Sequence, residues 1–294
     1  MQGLILRKMN FYFITTDHLE SAVWFRDDED FKVGMNYVAI EADYTGVNVM
    51  AFILMSNHVH FVMECKRDEA FFFINDFKKR YSMYYQKRYG VKEFLRGNGN
   101  NIQEIGLSEE SFERTVAYTL MNCVAANICL SCVQYPWGTG SVYYNQQAEK
   151  GKSISSFSLR EQRKILHSSY RLPAKYMVGK DGYILPSSYV KVEFVEKVFR
   201  KPSRMNFFLQ NSSKAKIRLS SDDNIPAFRD QVIIFSIPDL CQSLFRKASL
   251  DELSDGQRAE LLKQLRRRFS ADLKQLSRVT GMDYSDAADL LSRF

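Results

Sequence analysis

The sequence predicts an α+β chain, an antiparallel sheet with helices on one face followed by a mostly helical C-terminal region. Strand-like and helical runs alternate through the first ~150 residues as β-α-β-β-α-(β)-α, the ferredoxin-like order. A two-residue break, Ser56-Asn57, splits one long apolar run into a tight hairpin. After Gly151 the strand-like runs stop and short amphipathic helical patterns replace them.

Phe11-Tyr12-Phe13-Ile14-Thr15-Thr16 is β-branched and aromatic and reads as the first strand. From Asp28 to Tyr44 the apolar residues Phe31, Val33, Met35, Tyr37, Val38, Ile40 and Ala42 fit one broad helical face. The hairpin strands follow, from Val47 to Met55 and from His58 to Glu64. Asp68 to Tyr89 reads as a long helix that stops at Gly90, with Phe71, Phe72, Ile74, Phe77, Tyr81 and Tyr84 inward and Lys78, Lys79, Arg80, Lys87 and Arg88 on a basic outer side. Gly97 to Asn101 is a turn-rich loop, and a strand passes from Asn101 to Ile105. Ser108-Glu109-Glu110-Ser111 caps a helix carrying Phe112, Val116, Tyr118, Leu120, Asn122, Cys123 and Val124. Tyr135-Pro136-Trp137-Gly138-Thr139-Gly140 ends this unit.

Gly151 to Ser156 reads as a linker, and helical patterns follow at 158–169, 188–199 and 237–248. Asp255 to Phe269 is a helix with Leu261, Leu262, Leu265 and Phe269 inward and Lys263, Arg266, Arg267 and Arg268 outward. The stretch from Ser270 to Leu291 holds a second helix, a Gly281 turn and a third helix, the spacing of a helix-turn-helix and equally of a small three-helix unit without DNA. The expected division is 1–150, a helical region at 151–250, and a helix-turn-helix-like tail at 251–294.

Forty-one Lys+Arg against 34 Asp+Glu give a net charge of +7, which favours a polyanionic partner. No long uninterrupted apolar run offers a membrane span, and the start carries no signal-peptide core, so a cytoplasmic protein with no membrane partner is expected. Five cysteines in an uneven set argue against a disulfide framework. Cys129-Leu130-Ser131-Cys132 has metal-knuckle spacing but no second pair follows, which leaves a buried thiol pair as the default.

Two of the four histidines, His58 and His60, alternate along one strand and so share a face, ~6–7 Å apart at the strand rise. They read either as partly buried strand histidines or as two ligands of one cation. Tyr118 and Asn122, at i,i+4 spacing, share one face of a helix. A phenol and an amide presented beside two imidazoles would give a nucleophile and an oxygen-donating third ligand; the alternative is the ordinary role of a tyrosine at the core edge of an amphipathic helix. Mixed nitrogen and oxygen ligation suits Mg²⁺ or Mn²⁺, and also zinc.

Met55-Ser56-Asn57-His58-Val59-His60 resembles the HUH motif of the single-tyrosine transposases of small insertion sequences and their relatives, the REP-associated tyrosine transposases, where Pro-Asn-His-Val-His is usual. Tyr118-Thr119-Leu120-Met121-Asn122-Cys123-Val124 is similar to the family's Tyr-Ile-x-x-Asn-Pro-Val helix, and Tyr135-Pro136-Trp137 to its Tyr-Pro-Trp segment. Phe77-Lys78-Lys79-Arg80-Tyr81-Ser82 matches a typical Phe-Lys-x-x-Tyr-Ser helix. Four blocks in order span residues 10–145. The departures are Ser56 and Cys123, each in place of proline, and the 90–106 segment, where the family's aromatic-Gln-x-Arg element is not recognisable.

The resemblance implies DNA transposition and recombination chemistry: metal-dependent nicking and rejoining of single-stranded DNA at hairpins. Tyr118 is the implied nucleophile, forming a 5′-phosphotyrosine link, and His58, His60 and Asn122 are the implied ligands of Mg²⁺ or Mn²⁺, with Glu64 a substitute for the third. It also implies a homodimer, and phosphate or base contacts from Lys78, Lys79, Arg80, Tyr81, Lys87 and Arg88. Two alternatives stay open: a DNA-binding protein or regulator that keeps hairpin recognition without cutting, and an interaction protein whose histidine pair is incidental.

Overall fold

β1 (Asn10–Thr16) lies between two partners, β3 (His58–Cys65) and β4 (Asn100–Ile105), and β2 (Asn48–Met55) extends the sheet beyond β3. In this computed structural model, which describes residues 10–19, 22–106, 110–213, 230–269 and 271–293, the strand order is β2-β3-β1-β4 with every neighbouring pair antiparallel. That is the ferredoxin-like order expected. The hairpin closes Met55 onto His58.

α1 (Asp28–Thr45) starts on Asp27, whose carboxylate accepts from the Asp30 amide, and stops at Gly46 in the left-handed region with φ 69°. α2 (Arg67–Tyr89) lies alongside it on one face of the sheet, where Phe61 of β3 meets Phe73 and Phe77 at 5.2 and 5.8 Å between ring centroids. The buried stripe of α2 is Ala70, Phe73, Ile74, Phe77 and Tyr81, with Phe71 and Phe72 exposed at 53% and 61%. The helix is therefore rotated from the expected phase. Three consecutive phenylalanines cannot all face one side, and Phe73 continues the i, i+4, i+8 row to Phe77 and Tyr81.

α3 (Ser111–Leu120) covers the opposite face, where Phe11 of β1 packs edge-on to Phe112 at 5.1 Å. Ser108 and Glu109 of the expected cap lie outside the described residues, and Glu110 precedes the helix with φ 61° and no side-chain cap. The helix breaks at Met121 before a four-residue turn, α4 (Asn122–Ala125). The Tyr135–Gly140 segment then runs along the free edge of β2: Leu54 donates to the Trp137 carbonyl at 2.8 Å and Thr139 to that of Phe52 at 3.0 Å. Gly138 is required there, because a Cβ would stand 2.8 Å from the Phe52 carbonyl oxygen.

Residues 151–213 join this first core instead of forming a separate region. They contain the two-residue strands β5 (Lys152–Ser153) and β6 (Met177–Val178) and three helices, α5 (Leu159–Leu166), α6 (Val192–Phe199) and α7 (Pro202–Gln210). Ile154, Leu166, Tyr176, Val195, Phe199 and Phe208 pack into the same apolar cluster as the sheet. Asn36 of α1, 1% exposed, ties the two parts: its amide donates to the Ile165 carbonyl and accepts from the Ile184 amide, both at 2.8 Å. Asn36→Ala strands both partners away from water and is expected to destabilise the chain by about 3 kcal/mol. A lower urea midpoint at constant m-value is the readout; an unchanged midpoint contradicts the assignment.

The second core gathers α8 (Asp230–Phe245), α9 (Asp255–Phe269), α10 (Leu273–Thr280) and α11 (Tyr284–Arg293) around Ile233, Leu240, Leu261, Leu265, Leu276 and Ala287. The apolar clusters thus divide the chain between 213 and 230, where the sequence reading set boundaries at 150 and 250. On α9, Leu261, Leu262 and Leu265 are inward and Lys263, Arg266 and Arg268 outward as expected; the Arg267 side chain lies outside the described residues, as does Ser270. Gly281, with φ 72°, joins α10 to α11 in helix-turn-helix spacing. However, α11, in the position of a groove-reading helix, exposes Asp286 and Asp289, and Asp283 stands just before it. That charge opposes phosphate and favours the three-helix unit without DNA.

Candidate active site

Strand alternation and one helix bring three of the expected residues together on the α3 side of the sheet. Thr15 pairs with His60 and Phe13 with Val62, so Phe13, His58 and His60 face the same way. The His58 and His60 rings are 4.8 Å apart between centroids and perpendicular. Tyr118 of α3 stands edge-on to His60 at 6.0 Å and to Phe13 at 5.7 Å, and Phe13 stacks on His60 at 5.6 Å. Both histidines are buried, at 6% and 3% exposure, whereas Tyr118 is half-buried. Imidazole, imidazole and phenol form one contiguous constellation.

The hairpin orients His58. Asn57 donates its amide nitrogen to the Leu19 carbonyl at 3.0 Å, which turns its Oδ1 toward His58 Nδ1 at 2.9 Å. Oδ1 can only accept, so this contact sets the His58 tautomer with its proton on Nδ1, the form in which Nε2 has the chemistry of a ligand. His18, exposed in the loop after β1, stacks on His58 at 3.7 Å. Ser56, the departure from proline in the motif, donates to Asp230 of α8 at 2.5 Å. Asp230 in turn accepts from Arg278 Nε at 2.7 Å and from Gln275 at 2.9 Å. A prolyl ring could not make that contact; the serine links the motif to the second core, and a cavity of about 240 Å³ lies between His58 and these residues. Asp230→Ala leaves Arg278 without its carboxylate and is expected to weaken this docking by about 3 kcal/mol. Faster amide exchange in α8, α10 and the 55–58 hairpin, with the central strands unchanged, is the outcome that checks it; uniform exchange contradicts it.

Asn122 is buried at 3%, and its amide nitrogen donates to the carbonyls of Tyr118 and Thr119 at 3.0 and 3.2 Å. It satisfies the orphan carbonyls where α3 ends, and only its amide oxygen has the chemistry of a ligand. Glu64 sits at the far end of β3, where it accepts from Asn48 at 2.9 Å beside Phe11, four residues from His60. Among the described residues no group of three or more histidine, cysteine or carboxylate side chains converges on a metal position. The donors that do converge suit a cation in type: two imidazoles on one strand face, with ring centroids 4.8 Å apart. Water and phosphate oxygens ordinarily complete such a shell for Mg²⁺.

The expected DNA contacts on α2 lie across the sheet from this site. Lys78 is 7% exposed and donates to the Asn98 carbonyl at 2.6 Å, and burial pushes its ammonium pKa below the usual lysine value, with Asp17 pulling the other way. Tyr81 is fully buried, donating to the Trp24 carbonyl, so it cannot stack on a base. Arg80 pairs with Glu41 at 2.6 Å, and Arg88 pairs with Asp27 and with Asp30. Lys79 and Lys87, exposed like Arg88, make no ion pair among the described residues; with Arg163 and Lys164 of α5 they line a basic groove of about 820 Å³.

Residues that the sequence reading passed over are His18, Asn57, Phe13, Gln103 and Asp230. Gln103 lies opposite Phe13 across β1 and β4, on the α3 side. Its position was detectable only as a polar residue in the weak 101–105 strand. Cys123, in place of the family's proline, is fully buried with its thiol toward the Leu120 carbonyl at 3.4 Å. Cys123, Cys129 and Cys132 are all free thiols, and burial raises the Cys132 pKa to about 11. Among the described residues no helix is long and apolar enough to cross a membrane.

No protein-family model and no curated protein matches the sequence. A solved structure of a REP-associated tyrosine transposase bound to a REP hairpin is similar to this chain over 56% of its length and 90% of that chain, with 11% identity and a TM-score of 0.37.

Proposed function

We propose that the chain is a DNA strand-nicking and rejoining enzyme of the transposase type, acting on hairpin-bearing single-stranded DNA through Tyr118. The observation that supports this most is the convergence of His58, His60 and Tyr118, from a strand and a helix 58 residues apart, into one group of touching rings. A core histidine pair has no need of a half-buried phenol beside it. The four ordered sequence blocks and the net charge of +7 agree with a nucleic-acid substrate.

Tyr118 Oη attacks the phosphorus of a phosphodiester. A Tyr–O–P bond forms as the phenol gives up its proton, the P–O3′ bond breaks, and the leaving 3′ oxygen takes up one proton, so the step is proton-neutral overall. The bond energy stays in the 5′-phosphotyrosine, and attack by a 3′-OH restores the strand without ATP. His58 and His60, with the Asn122 oxygen as third protein donor, would hold a divalent cation, Mg²⁺ or Mn²⁺. When bound, the cation polarises the scissile phosphate and stabilises its developing charge. Asn57 fixes the His58 tautomer, and Phe13 holds the His60 ring against Tyr118.

The test is incubation of the purified chain with end-labelled hairpin oligonucleotides and Mg²⁺ or Mn²⁺. A protein–DNA adduct resistant to denaturation, together with a free 3′-OH fragment, is the expected product. Binding without adduct or cleavage under either metal contradicts the enzyme and supports the regulator reading.

A further inference from the structure

Tyr118 opens into a cleft that the histidines do not explain. It has a volume of about 760 Å³, in the range of ligand sites. Its opposite wall is α7, part of the stretch beyond the motif blocks. Arg204 ties α7 to α3 through Glu110 and Glu113 at 3.2 and 3.0 Å. Met205 and Phe208 turn inward, and Phe207 stands 56% exposed. The Phe207 ring rests one edge-on contact, at 5.5 Å, on buried Phe208 and otherwise lines the same cleft as the phenol.

The rest of the lining has complementary chemistry. Gln103 and Asn211 offer amide donors and acceptors that can read a base edge. Arg114, on the rim, lies over the Phe208 ring and among the described residues makes one ion pair, with half-buried Glu110 at 3.0 Å, a surface bridge weak enough to be exchanged for a phosphate. Aromatic face, amide edges and a rim cation beside a phosphate-attacking group are the parts of a single-strand nucleotide site.

We infer that this cleft binds an unstacked base of single-stranded DNA flanking the phosphate that Tyr118 attacks, with Phe207 as its stacking platform and Gln103, Asn211 and Arg114 as polar contacts. The inference rests on the proposed function for the identity of the strand. It adds that α7, outside the motif-bearing region, sets which nucleotide is accepted next to the cut.

The experiment uses the full chain carrying Tyr118→Phe, to keep the DNA intact, and hairpin oligonucleotides with 2-aminopurine at successive single-strand positions. Fluorescence is expected to be quenched at one position. Phe207→Ala should abolish that quenching and weaken binding by about 5- to 100-fold, and Phe207→Trp should restore both. Oligonucleotide binding and quenching indifferent to Phe207→Ala overturn the inference and leave the Tyr118 reading standing. Phe207-dependent binding by a wild-type chain that forms no adduct does the reverse. Failure of the wild type to bind any oligonucleotide overturns both.

Discussion

Tyr118→Phe is expected to lower strand cleavage by on the order of 10⁴-fold or more, the scale on which removal of a covalent nucleophile acts, while leaving hairpin binding within about 2-fold. The substitution removes one oxygen. The ring keeps its edge-on contacts with Phe13 and His60, and the buried side of α3, made by Phe112, Val116 and Leu120, is untouched. Any loss of activity therefore reports chemistry and not folding. The informative readout is the covalent adduct: full-length protein shifted by labelled DNA on a denaturing gel, present in wild type and absent in the variant. An adduct that survives in Tyr118→Phe moves the nucleophile elsewhere, with the remaining half-buried and exposed tyrosines next in line.

Two pairs of the candidate site's residues were legible because each obeys a short-range rule. Period-two alternation put His58 and His60 on one face, and i,i+4 spacing put Tyr118 and Asn122 on one side of a helical turn. Both rules hold without knowledge of neighbours. The failures arise where neighbours decide. Lys78, Arg80 and Arg88 read as a solvated basic face because their partners lie at least 20 residues away, in Asn98, Glu41, Asp27 and Asp30. Tyr81 sits in the same stripe as Phe77, and the apolar period alone assigns it inward; only the expectation of base stacking pulled it out.

The domain boundaries failed for a related reason. Gly151 to Ser156 has linker composition, yet Ile154 within it is fully buried in the apolar cluster built on the sheet. Asn36 reaches 129 residues along the chain to hold α5. α7 went unseen because Met205, Phe207 and Phe208 give no clean apolar period, one ring facing the core and its neighbour the cleft. Ser56 was read as a departure from a motif, and its meaning depends on Asp230, 174 residues later.

The histidines carry the second large effect. His58→Ala and His60→Ala are each expected to reduce cleavage by on the order of 10²–10³-fold, as loss of electrostatic stabilisation at a transferring phosphate does. Titration with Mn²⁺ should lose its binding event in both. The two variants differ in fold. His60 is enclosed between Phe13 and Tyr118 at 3% exposure, so its truncation leaves a cavity and is expected to destabilise by about 2 kcal/mol. His58 abuts the exposed His18 ring, which can move into the gap, and its truncation should be milder. Asn57→Ala removes the tautomer-setting acceptor and keeps both imidazoles, so Mn²⁺ affinity should fall by about 10- to 100-fold without vanishing. That ordering separates a metal site from a packed core: a packing role predicts that His58→Ala, mild in stability, is mild in activity too, and that Asn57→Ala leaves Mn²⁺ binding alone. If His58→Ala cleaves at the wild-type rate, the pair belongs to the core and Tyr118 has lost its partner.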